Sequence, residues 1–527
     1  MDLKKQIGQL FVVGYQGLEP TPEFLEFVHE WGIGGIIVFV RNIGDPQRLP
    51  AVLRTLAEAA GQVQFTSIDQ EGGLVMRILS GGSLFPGAMA LAATGRPELA
   101  EQVGAAMGRE LRALGINWNL APVLDINHAQ NPGIGARSFG ETPEQVARFG
   151  VPFIRGLQQG GVLACAKHFP GLGHARADTH LRLPTIPYDR ERLQTFELVP
   201  FRAAIEAGVG AIMTSHVFFP AFETTPNLPA TLSRAVLTDL LRHDMGFEGL
   251  VITDDLEMGA ITETYGVPEA ARLAFLAGAD LLLICHDLGR ERQAAETLLA
   301  EVQANPEARR RLDASLARIE RARRHLAAPI GTATLAELAA RHRPLIEKTH
   351  RQAVLVSHQR PGVLPVSVGR PCLAFCPQIA SLVQVEETHQ GDGLLALIKE
   401  RLPGAQGASF DPRGTADEIV AEFEALAAPA PADAPLLLFT YNAHLFDGQA
   451  KAIRRILARR PQAIVVAVRN PYDLGLFPEA GAGLATFGFR TPALRACLDV
   501  LTGAAAPGQG PWPVDLALAS HTSPATT

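Results

Sequence analysis

Short apolar runs recur along the first part of the chain, and each ends in a polar or glycine-bearing turn. Eight of these runs can be distinguished: LFVVGYQ, GGIIVFVRN, VQFTSIDQEGG, INWNLAPVLDIN, VLACAKHFPG, AIMTSHVF, GLVITDDLEMG and ADLLLICHD. The segments between them, such as PELAEQVGAAMGRELRALG, space their apolar residues as a helix does. Strands that alternate with helices pair in parallel through right-handed crossovers. Eight units over roughly 290 residues predict a (β/α)8 TIM-type barrel, with an open doubly wound sheet as the alternative.

A second series of runs follows after a connecting segment that contains a helix. Its members are AVLVSH, PCLAFCP, PLLLFTY, AIVVAVRN and GLATFGF, separated by helical stretches such as DGQAKAIRRILARRP. Their ends carry few carboxylates or histidines, so this part is expected to pack on the barrel and shape its mouth from outside. The sequence therefore predicts an α/β protein with a catalytic barrel at residues 1–335, a linker at 336–350 and a smaller α/β sandwich domain at 351–527.

Titratable residues stand at the ends of six of the eight barrel runs. A single charged residue at a strand end is more often a helix cap or a loop salt bridge. In a barrel, however, the catalytic groups project from the carboxyl ends of the strands into one shared mouth. Six such ends therefore favour one common site. The residues are Asp69, Asp125, Lys167, His168, His216, Asp254, Asp255 and His286.

Net charge, the N-terminal residues and the cysteine count argue against certain partners and structural classes. The net charge of −7 lacks the basic surplus that binding a phosphate backbone needs, so nucleic acid is not an expected partner. The first residues, MDLKKQIGQLFVVGYQG, hold too short an apolar run for a signal peptide or a membrane span, which predicts a cytoplasmic protein without a membrane partner. The five cysteines are few and odd in number, which argues against a disulfide framework.

The loop KHFPGLGHARADTH, residues 167–180, concentrates imidazoles and a carboxylate after an apolar run. Asp178 stands two residues before His180, and in extended backbone such residues point the same way. The carboxylate can then fix the tautomer of the imidazole. An oriented histidine both gives and takes a proton near neutral pH. With Asp254 as an attacking carboxylate, the parts suffice for covalent double displacement at a glycosidic bond.

A metal site is the competing use of the same loop. His168, His174, His180 and Asp178 offer ligands that zinc accepts. However, the loop contains neither an HxH nor an HExxH pair, and Lys167 beside His168 would repel a cation. No metal or organic cofactor is therefore expected.

Several ordered motifs resemble family 3 glycoside hydrolases, in the β-N-acetylglucosaminidase branch associated with bacterial cell-wall recycling. The loop KHFPGLGHARADTH resembles that branch's KHFPGHG…DSH. IDQEGGLVMR, FPGAMALAATG, IGARSFGETPEQVA and the segment from PATLSRAV to TDDLEMGAI resemble further motifs in the same order. The resemblance covers the whole predicted barrel and continues more weakly through VRNPYDLGLF and LTGAAAPGQGPWPV.

The resemblance implies a role for each matched residue. Asp254 is the expected nucleophile, His180 the acid/base and Asp178 its partner. The terminal sugar is expected to bind Asp69, Arg77, Arg137, Lys167 and His168. Three other strand-end residues are interpreted as structural: Asp125 and His216 as loop braces, and Asp255 as a cap for the following helix.

Two positions depart from the branch's pattern. Leu172 stands where a histidine is usual, and Leu74 stands where an arginine is usual. The leading hypothesis is a retaining exo-β-N-acetylglucosaminidase acting on a small carbohydrate, with peptidoglycan (muropeptide) fragments as the expected source. A phosphorylase or β-glucosidase of the same family is the alternative. A non-catalytic sugar-binding barrel is disfavoured because Asp254, Asp178 and His180 are all present.

Overall fold

The first half of the chain forms a parallel sheet that curls into a barrel. The protein is described by a computed structural model over residues 2–62, 64–175, 183–326, 331–379 and 393–517. In these residues the barrel strands are β1 (Phe11–Val13), β2 (Gly35–Val38), β3 (Phe65–Ile68), β4 (Trp118–Asn119), β5 (Leu163–Phe169), β6 (Ala211–Thr214), β7 (Leu250–Ile252) and β8 (Leu282–Ile284). Each strand falls within one of the eight apolar runs.

The strand order shows how the sheet closes. Neighbouring strands pair in sequence from β1 to β7, and β8 pairs in parallel with β1. A single parallel bridge between Ile252 and Leu281 spans the remaining seam between β7 and β8. All eight strands are buried along their described lengths, as expected for a parallel sheet covered by helices. The predicted (β/α)8 barrel is confirmed, and the open sheet is not formed.

Helices surround the barrel and connect its strands. They are α1 (Leu3–Gly8), α2 (Pro22–Trp31), α3 (Leu49–Ala60), α4 (Ala88–Ala93), α5 (Pro97–Ala113), α6 (Pro143–Gln159), α7 (Arg190–Thr195), α8 (Val199–Glu206), α9 (Gly259–Thr262), α10 (Val267–Ala277), α11 (Leu288–Ala304) and α12 (Pro306–Leu326). Residues Ala235–Asp244 add a π-helical segment before β7. Short 3-10 turns occur at Val40–Asn42, Pro46–Arg48, Gly135–Arg137, Ala230–Leu232 and Pro471–Leu476.

The neighbouring helices α5 and α6 illustrate how the sequence builds this outer layer. The Thr142 side chain accepts the Gln145 backbone N–H and caps α6, with Pro143 at its first position. A Cβ on Gly156 would lie 2.1 Å from the Glu101 carbonyl oxygen, so only glycine permits this close approach of the two backbones. The two helices therefore pack tightly outside β4 and β5.

A mixed six-stranded sheet forms the second domain within the described residues. Its strands are β9 (Leu355–Gln359), β10 (Cys372–Pro377), β11 (Ala405–Phe410), β12 (Leu436–Thr440), β13 (Ile464–Ala467) and β14 (Ala482–Ala485). The order is β11-β10-β12-β13-β14-β9, with only β9 antiparallel to its neighbour. Helices α14 (Leu394–Arg401), α15 (Ala416–Ala427), α16 (Asp447–Arg459) and α17 (Thr491–Leu501) cover it. The predicted second α/β domain is confirmed.

A long helix joins the two domains. Helix α13 (Leu335–Ala353) occupies the predicted linker and packs against α4 and α5 of the barrel and α17 of the second domain. The hydrophobic core of the second domain also includes barrel residues, namely Leu74, Val75, Met89, Ala90, Ala93, Ala129 and Ala136. One continuous apolar core therefore joins the second sheet to the loops above β3 and β4. All five cysteines are buried and free. Among the described helices, none combines the length and apolar character that crossing a membrane requires.

Candidate active site

Three strand ends bring predicted site residues to one rim of the barrel. Asp69 directly follows β3, Lys167 lies in β5, and Asp254 comes two residues after β7. Because the strands are parallel, their carboxyl ends open on the same mouth. One buried thiol, Cys165, lies beneath this mouth. Burial raises the pKa of this thiol, and the charges of Lys167, Asp69 and Asp254 also act on it, in keeping with their places at the carboxyl ends of barrel strands.

Five charged side chains, Asp69, Glu71, Arg77, Arg137 and Lys167, form what we call the buried charge cluster. Lys167 Nζ lies 2.8 Å from Asp69 Oδ1 and 2.8 Å from Glu71 Oε1. Arg137 donates to both oxygens of Glu71, at 2.9 and 2.8 Å. Arg77 donates to Asp69 Oδ2 at 3.3 Å. Three cations thus surround two carboxylates, and four of the predicted sugar-binding residues are brought together.

Mutual pairing opposes the effect of burial on the charges of Asp69, Glu71 and Lys167. Burial would raise the pKa of Asp69, but Lys167 and Arg77 outweigh it and hold that pKa below its usual value. The pKa of Glu71 is likewise lowered against burial, by Arg137 and Lys167. Burial would lower the pKa of Lys167, but the two carboxylates raise it. The cluster therefore presents fixed donors and acceptors at neutral pH.

Sequence reasoning does not single out Glu71, although it is the partner that joins Arg137 to Lys167. A signal was available in the string DQEGG. Glu71 follows Asp69 by two residues, and in extended backbone such side chains lie on the same side. The pattern D-x-E after a barrel strand can therefore be interpreted as two carboxylates directed to one site.

The second domain braces the two loops that carry the arginines. Asn470 Oδ1 accepts the Ala136 backbone N–H at 2.8 Å, next to Arg137. Arg490 donates to the Gly73 carbonyl at 3.2 Å and the Leu74 carbonyl at 3.4 Å, in the turn between Glu71 and Arg77. Leu74, where the branch usually has arginine, is buried in the core of the second domain. A guanidinium from the second domain thus reaches the turn in which the expected arginine is replaced.

His168 is hydrogen-bonded to a buried carboxylate, Asp125, which is not a member of the charge cluster. Its Nδ1 lies 2.7 Å from Asp125 Oδ2, and its backbone N–H also faces Asp125. The Leu172 N–H donates to Asp125 Oδ1 at 2.6 Å, which anchors the loop that follows β5. Asp125 therefore acts as the loop brace that the sequence predicts. The Leu172 side chain is partly buried against the barrel core, and Asn131 donates to its carbonyl at 3.0 Å.

Asp254 and Asp255 face different surroundings although they are adjacent. Asp254 is half-buried, and its Oδ1 accepts the Asp255 N–H at 2.8 Å. His216 Nε2 donates to the Asp255 carbonyl at 2.9 Å, which makes His216 a brace, as predicted. The prediction that Asp255 caps a helix is wrong. Helix α9 begins at Gly259 with Met258 as its cap, and Asp255 accepts the Glu257 N–H in the intervening turn.

The proposed acid/base pair, Asp178 and His180, lies outside the described residues, which resume at residue 183. The entry to that segment is described. The His174 ring packs beside the rings of His128, Tyr188 and Phe196, with centroids 5.0, 5.4 and 5.8 Å away. Burial lowers the pKa of His174 to about 4, and His128 and Arg192 add to this effect. His174 is therefore neutral near pH 7 and packs as an aromatic side chain.

Comparisons with known proteins identify the family to which the chain belongs. The profile of the "Glycosyl hydrolase family 3 N terminal domain" matches residues 2–322. A solved structure of a family 3 β-N-acetylglucosaminidase from Paenibacillus sp. str. FPU-7 is 37% identical and superposes with a TM-score of 0.89, covering 98% of this chain and 99% of that one.

Two curated relatives point to the same class of enzyme. A β-hexosaminidase from Tolumonas auensis is 39% identical over 297 residues, which is 56% of this chain and 86% of the relative. β-Hexosaminidase A from Pseudoalteromonas piscicida is 33% identical over 378 residues, which is 66% of this chain and 62% of that longer protein. The chain therefore belongs to glycosyl hydrolase family 3, in its β-N-acetylhexosaminidase branch, and is a glycoside hydrolase.

Proposed function

We propose that the protein is a retaining exo-β-N-acetylglucosaminidase that removes terminal β-linked N-acetylglucosamine by double displacement. The observation that carries this proposal is the buried charge cluster at the barrel mouth, on the same rim as the half-buried carboxylate of Asp254. The relatives named above act as β-hexosaminidases, which supports the same class of substrate here.

The cluster suits the hydroxyl groups of a terminal pyranose. Each sugar hydroxyl can donate one hydrogen bond and accept others. Asp69 can accept from hydroxyls, while Lys167 and Arg137 can donate to them, so the ring is held in one register. Because the cluster is almost completely buried at the floor of the mouth, it favours the end of a saccharide over its interior. His168 is included among the proposed sugar contacts.

The proposed chemistry divides two steps among three residues. Asp254 attacks the anomeric carbon, and the glycosidic oxygen leaves with a proton taken from His180. His180 then removes a proton from water, which attacks the same carbon and releases Asp254 as a free carboxylate. Asp178 orients the His180 imidazole and stabilises its protonated form. The roles of His180 and Asp178 rest on the resemblance of their loop to the family motif.

We further propose peptidoglycan fragments as the source of the substrate, on the basis of the resemblance to the cell-wall recycling branch. Leu172 replaces the usual histidine beside the acid/base loop, so the preferred aglycone is expected to be less polar at that edge. A cytoplasmic location stays a prediction.

A panel of aryl glycosides tests the proposal. We expect hydrolysis of the β-N-acetylglucosaminide to exceed that of the β-glucoside and β-xyloside. A 5-fluoro sugar should leave a covalent adduct on Asp254 that mass spectrometry locates. Asp254→Asn should lower kcat by more than about 1,000-fold, with folding nearly unchanged. The matched control is Asp287→Asn, which removes a carboxylate charge at the N-cap of α11 but keeps an oxygen that accepts the Arg290 N–H, and it should leave kcat near that of the wild type.

Four outcomes would contradict the proposal. An adduct on another residue, or near-normal activity of Asp254→Asn, would remove Asp254 from the reaction. Faster cleavage of the glucoside would make the protein a β-glucosidase. A sugar 1-phosphate product in the presence of inorganic phosphate would make it a phosphorylase.

A further inference from the structure

Three side chains of kinds that bind transition metals meet on the barrel rim, beyond β7 and β8. They are Asp255, Cys285 and His286, and one potential ligand atom from each lies within 4.8 Å of the others. Within this group, His286 Nε2 lies 3.2 Å from Asp255 Oδ2. None of the three belongs to the buried charge cluster, and the proposed hydrolysis uses none of them.

We propose that Asp255, Cys285 and His286 bind one divalent cation of the zinc class, with a fourth coordination position open to solvent. Zinc binds sulfur at about 2.3 Å and nitrogen or oxygen at about 2.0–2.2 Å in tetrahedral geometry, which separates neighbouring ligand atoms by about 3.3–3.7 Å. The 3.2 Å between His286 Nε2 and Asp255 Oδ2 is close to this spacing, and all three ligand atoms lie within 4.8 Å of one another. A thiolate among the ligands favours zinc or cobalt over magnesium or calcium.

The surroundings hold the ligands in place before any metal arrives. Glu257 Oε2 accepts the backbone N–H groups of Cys285 and His286, at 3.0 and 2.6 Å, and so fixes the turn that presents both side chains. The His286 ring also packs against Phe39, with centroids 5.5 Å apart. His216 holds the Asp255 carbonyl from the opposite side. Such outer contacts orient metal ligands and strengthen binding.

The local charges permit a cation here. Asp255 and a Cys285 thiolate would neutralise its two positive charges, and Glu257 lies behind them. Arg41 opposes the cation, because it donates to the Cys285 carbonyl at 2.6 Å. Zinc binds the thiolate form of cysteine, so coordination by Cys285 would release the thiol proton.

The proposed ligands differ in how far their side chains are exposed to solvent, which gives a cation a route to the site. Cys285 is buried, whereas the His286 side chain is 48% exposed. A cation can therefore enter from solvent past His286 and reach the thiol behind it.

Cobalt titration of the purified full chain tests the site directly. We expect one equivalent of Co²⁺ to produce a near-ultraviolet thiolate-to-cobalt charge-transfer band and visible bands of tetrahedral cobalt, both abolished by one equivalent of Zn²⁺. Cys285→Ser should remove the charge-transfer band. His286→Asn should weaken zinc binding, measured by calorimetry, by at least about tenfold.

Two matched variants serve as controls. Cys372→Ser removes a buried thiol of the second domain, and His243→Asn removes an exposed histidine of the π-helical segment. Both should bind cobalt as the wild type does. Absence of the charge-transfer band in the wild type, or unchanged binding in His286→Asn, would overturn the site. His286 is exposed, so its variant tests the site even if Cys285→Ser does not fold. Failure of this site would leave the proposed glycosidase activity intact, because no step of that reaction uses these side chains.

Discussion

Two buried histidine–aspartate pairs occur in the part of the chain that the structure describes, one in each domain, and their local geometry is nearly the same. His168 Nδ1 lies 2.7 Å from Asp125 Oδ2 in the barrel, and His444 Nδ1 lies 2.7 Å from Asp473 Oδ1 in the second domain. In both pairs the backbone N–H of the histidine also donates to the aspartate. Both pairs lie at or beyond the carboxyl ends of parallel strands, where loops come together above a sheet.

The surroundings of the two pairs differ. Asp125 also accepts the Leu172 N–H, and His168 follows Lys167 of the buried charge cluster. Within the described residues, His444 Nε2 and Asp473 Oδ2 have no hydrogen-bond partner. The His444 ring instead packs 5.1 Å from the Tyr472 ring, and the Tyr472 hydroxyl accepts from Asn127 of the barrel at 2.7 Å.

The same buried histidine–aspartate pair therefore has a different role in each domain. In the barrel it fixes a loop beside charges that are proposed to hold a sugar. In the second domain it fixes a loop that docks on the barrel. A buried histidine–aspartate pair is evidence of a rigid loop, and the groups on the far side of the imidazole decide whether that loop serves chemistry.

The largest expected effect comes from breaking the charge cluster that distinguishes the barrel pair. Lys167→Met leaves two buried carboxylates with one cation fewer. We expect the free energy of unfolding to fall by about 3 kcal/mol and kcat/KM to fall more than about 100-fold. Denaturant unfolding measures the free energy of unfolding, and aryl-glycoside kinetics measure kcat/KM. Lys451→Met, which removes an exposed ion pair of α16, is the control and should cost less than about 0.5 kcal/mol. An equal loss in both variants would contradict the prediction.

A third buried histidine, His350, lacks a carboxylate partner among the described residues and shows what the aspartates contribute. Its Nε2 faces the Leu84 carbonyl at 3.3 Å, and burial lowers its pKa to about 4. Below pH 6.5, the ordinary pKa of histidine, His350 is protonated in the unfolded chain but stays neutral in the folded protein. The free energy of unfolding should therefore fall by about 3 kcal/mol between pH 6.5 and pH 4.

Denaturant unfolding of the wild type and of His350→Gln at several pH values isolates this contribution from the titration of carboxylates. The free energy of unfolding of the variant should fall by about 3 kcal/mol less than that of the wild type between pH 6.5 and pH 4. His243→Gln, at an exposed position, should follow the wild type. Identical pH profiles for the wild type and His350→Gln would contradict the prediction.

Asp125→Asn tests the barrel pair itself. The substitution weakens charge-assisted hydrogen bonds to His168 and Leu172, each worth about 1.5–3 kcal/mol. We expect kcat/KM to fall about 10- to 100-fold, because the loop that leads to His180 loses its anchor. Unchanged kinetics would show that the Asp125 charge is not needed to position this loop.

Asp473→Asn tests the second pair and should have the smallest effect. One charge-assisted bond to His444 becomes neutral, which should lower the free energy of unfolding by about 1 kcal/mol. Since His444 faces the domain contact, kcat/KM should stay within about threefold of the wild type. A 100-fold fall in kcat/KM of Asp473→Asn would contradict this prediction, because it would show that both pairs support catalysis.

Most of the fold could be predicted because burial leaves a direct trace in the sequence. Each of the eight barrel strands lies within one of the short, mainly apolar runs, as expected for strands buried on both faces. Strand β11 (AQGASF) was missed, because it is an edge strand whose middle residues are partly exposed. Its residues are mostly polar or small, so it lacks the run of large apolar residues that indicates β10 and β12.

The candidate site was less completely predictable. Asp69, Lys167 and Asp254 could be found from their places at strand ends. Glu71 was missed, and the interpretation of Asp255 was wrong, because a pattern does not show how many residues a turn takes before its helix begins. The contacts of Arg490 and Asn470 could not be predicted, because more than 300 residues separate each of them from its partner in the barrel.

The docking of the second domain limits how this enzyme can be recombined. A chimera that joins this barrel to a foreign partner would uncover an apolar patch that includes Leu74 and Val75, and it would also remove the groups that hold the two arginine-bearing loops. Such a hybrid is expected to aggregate or to bind its ligand poorly even with every barrel residue intact. The unit that evolution or an engineer can exchange is therefore the whole chain.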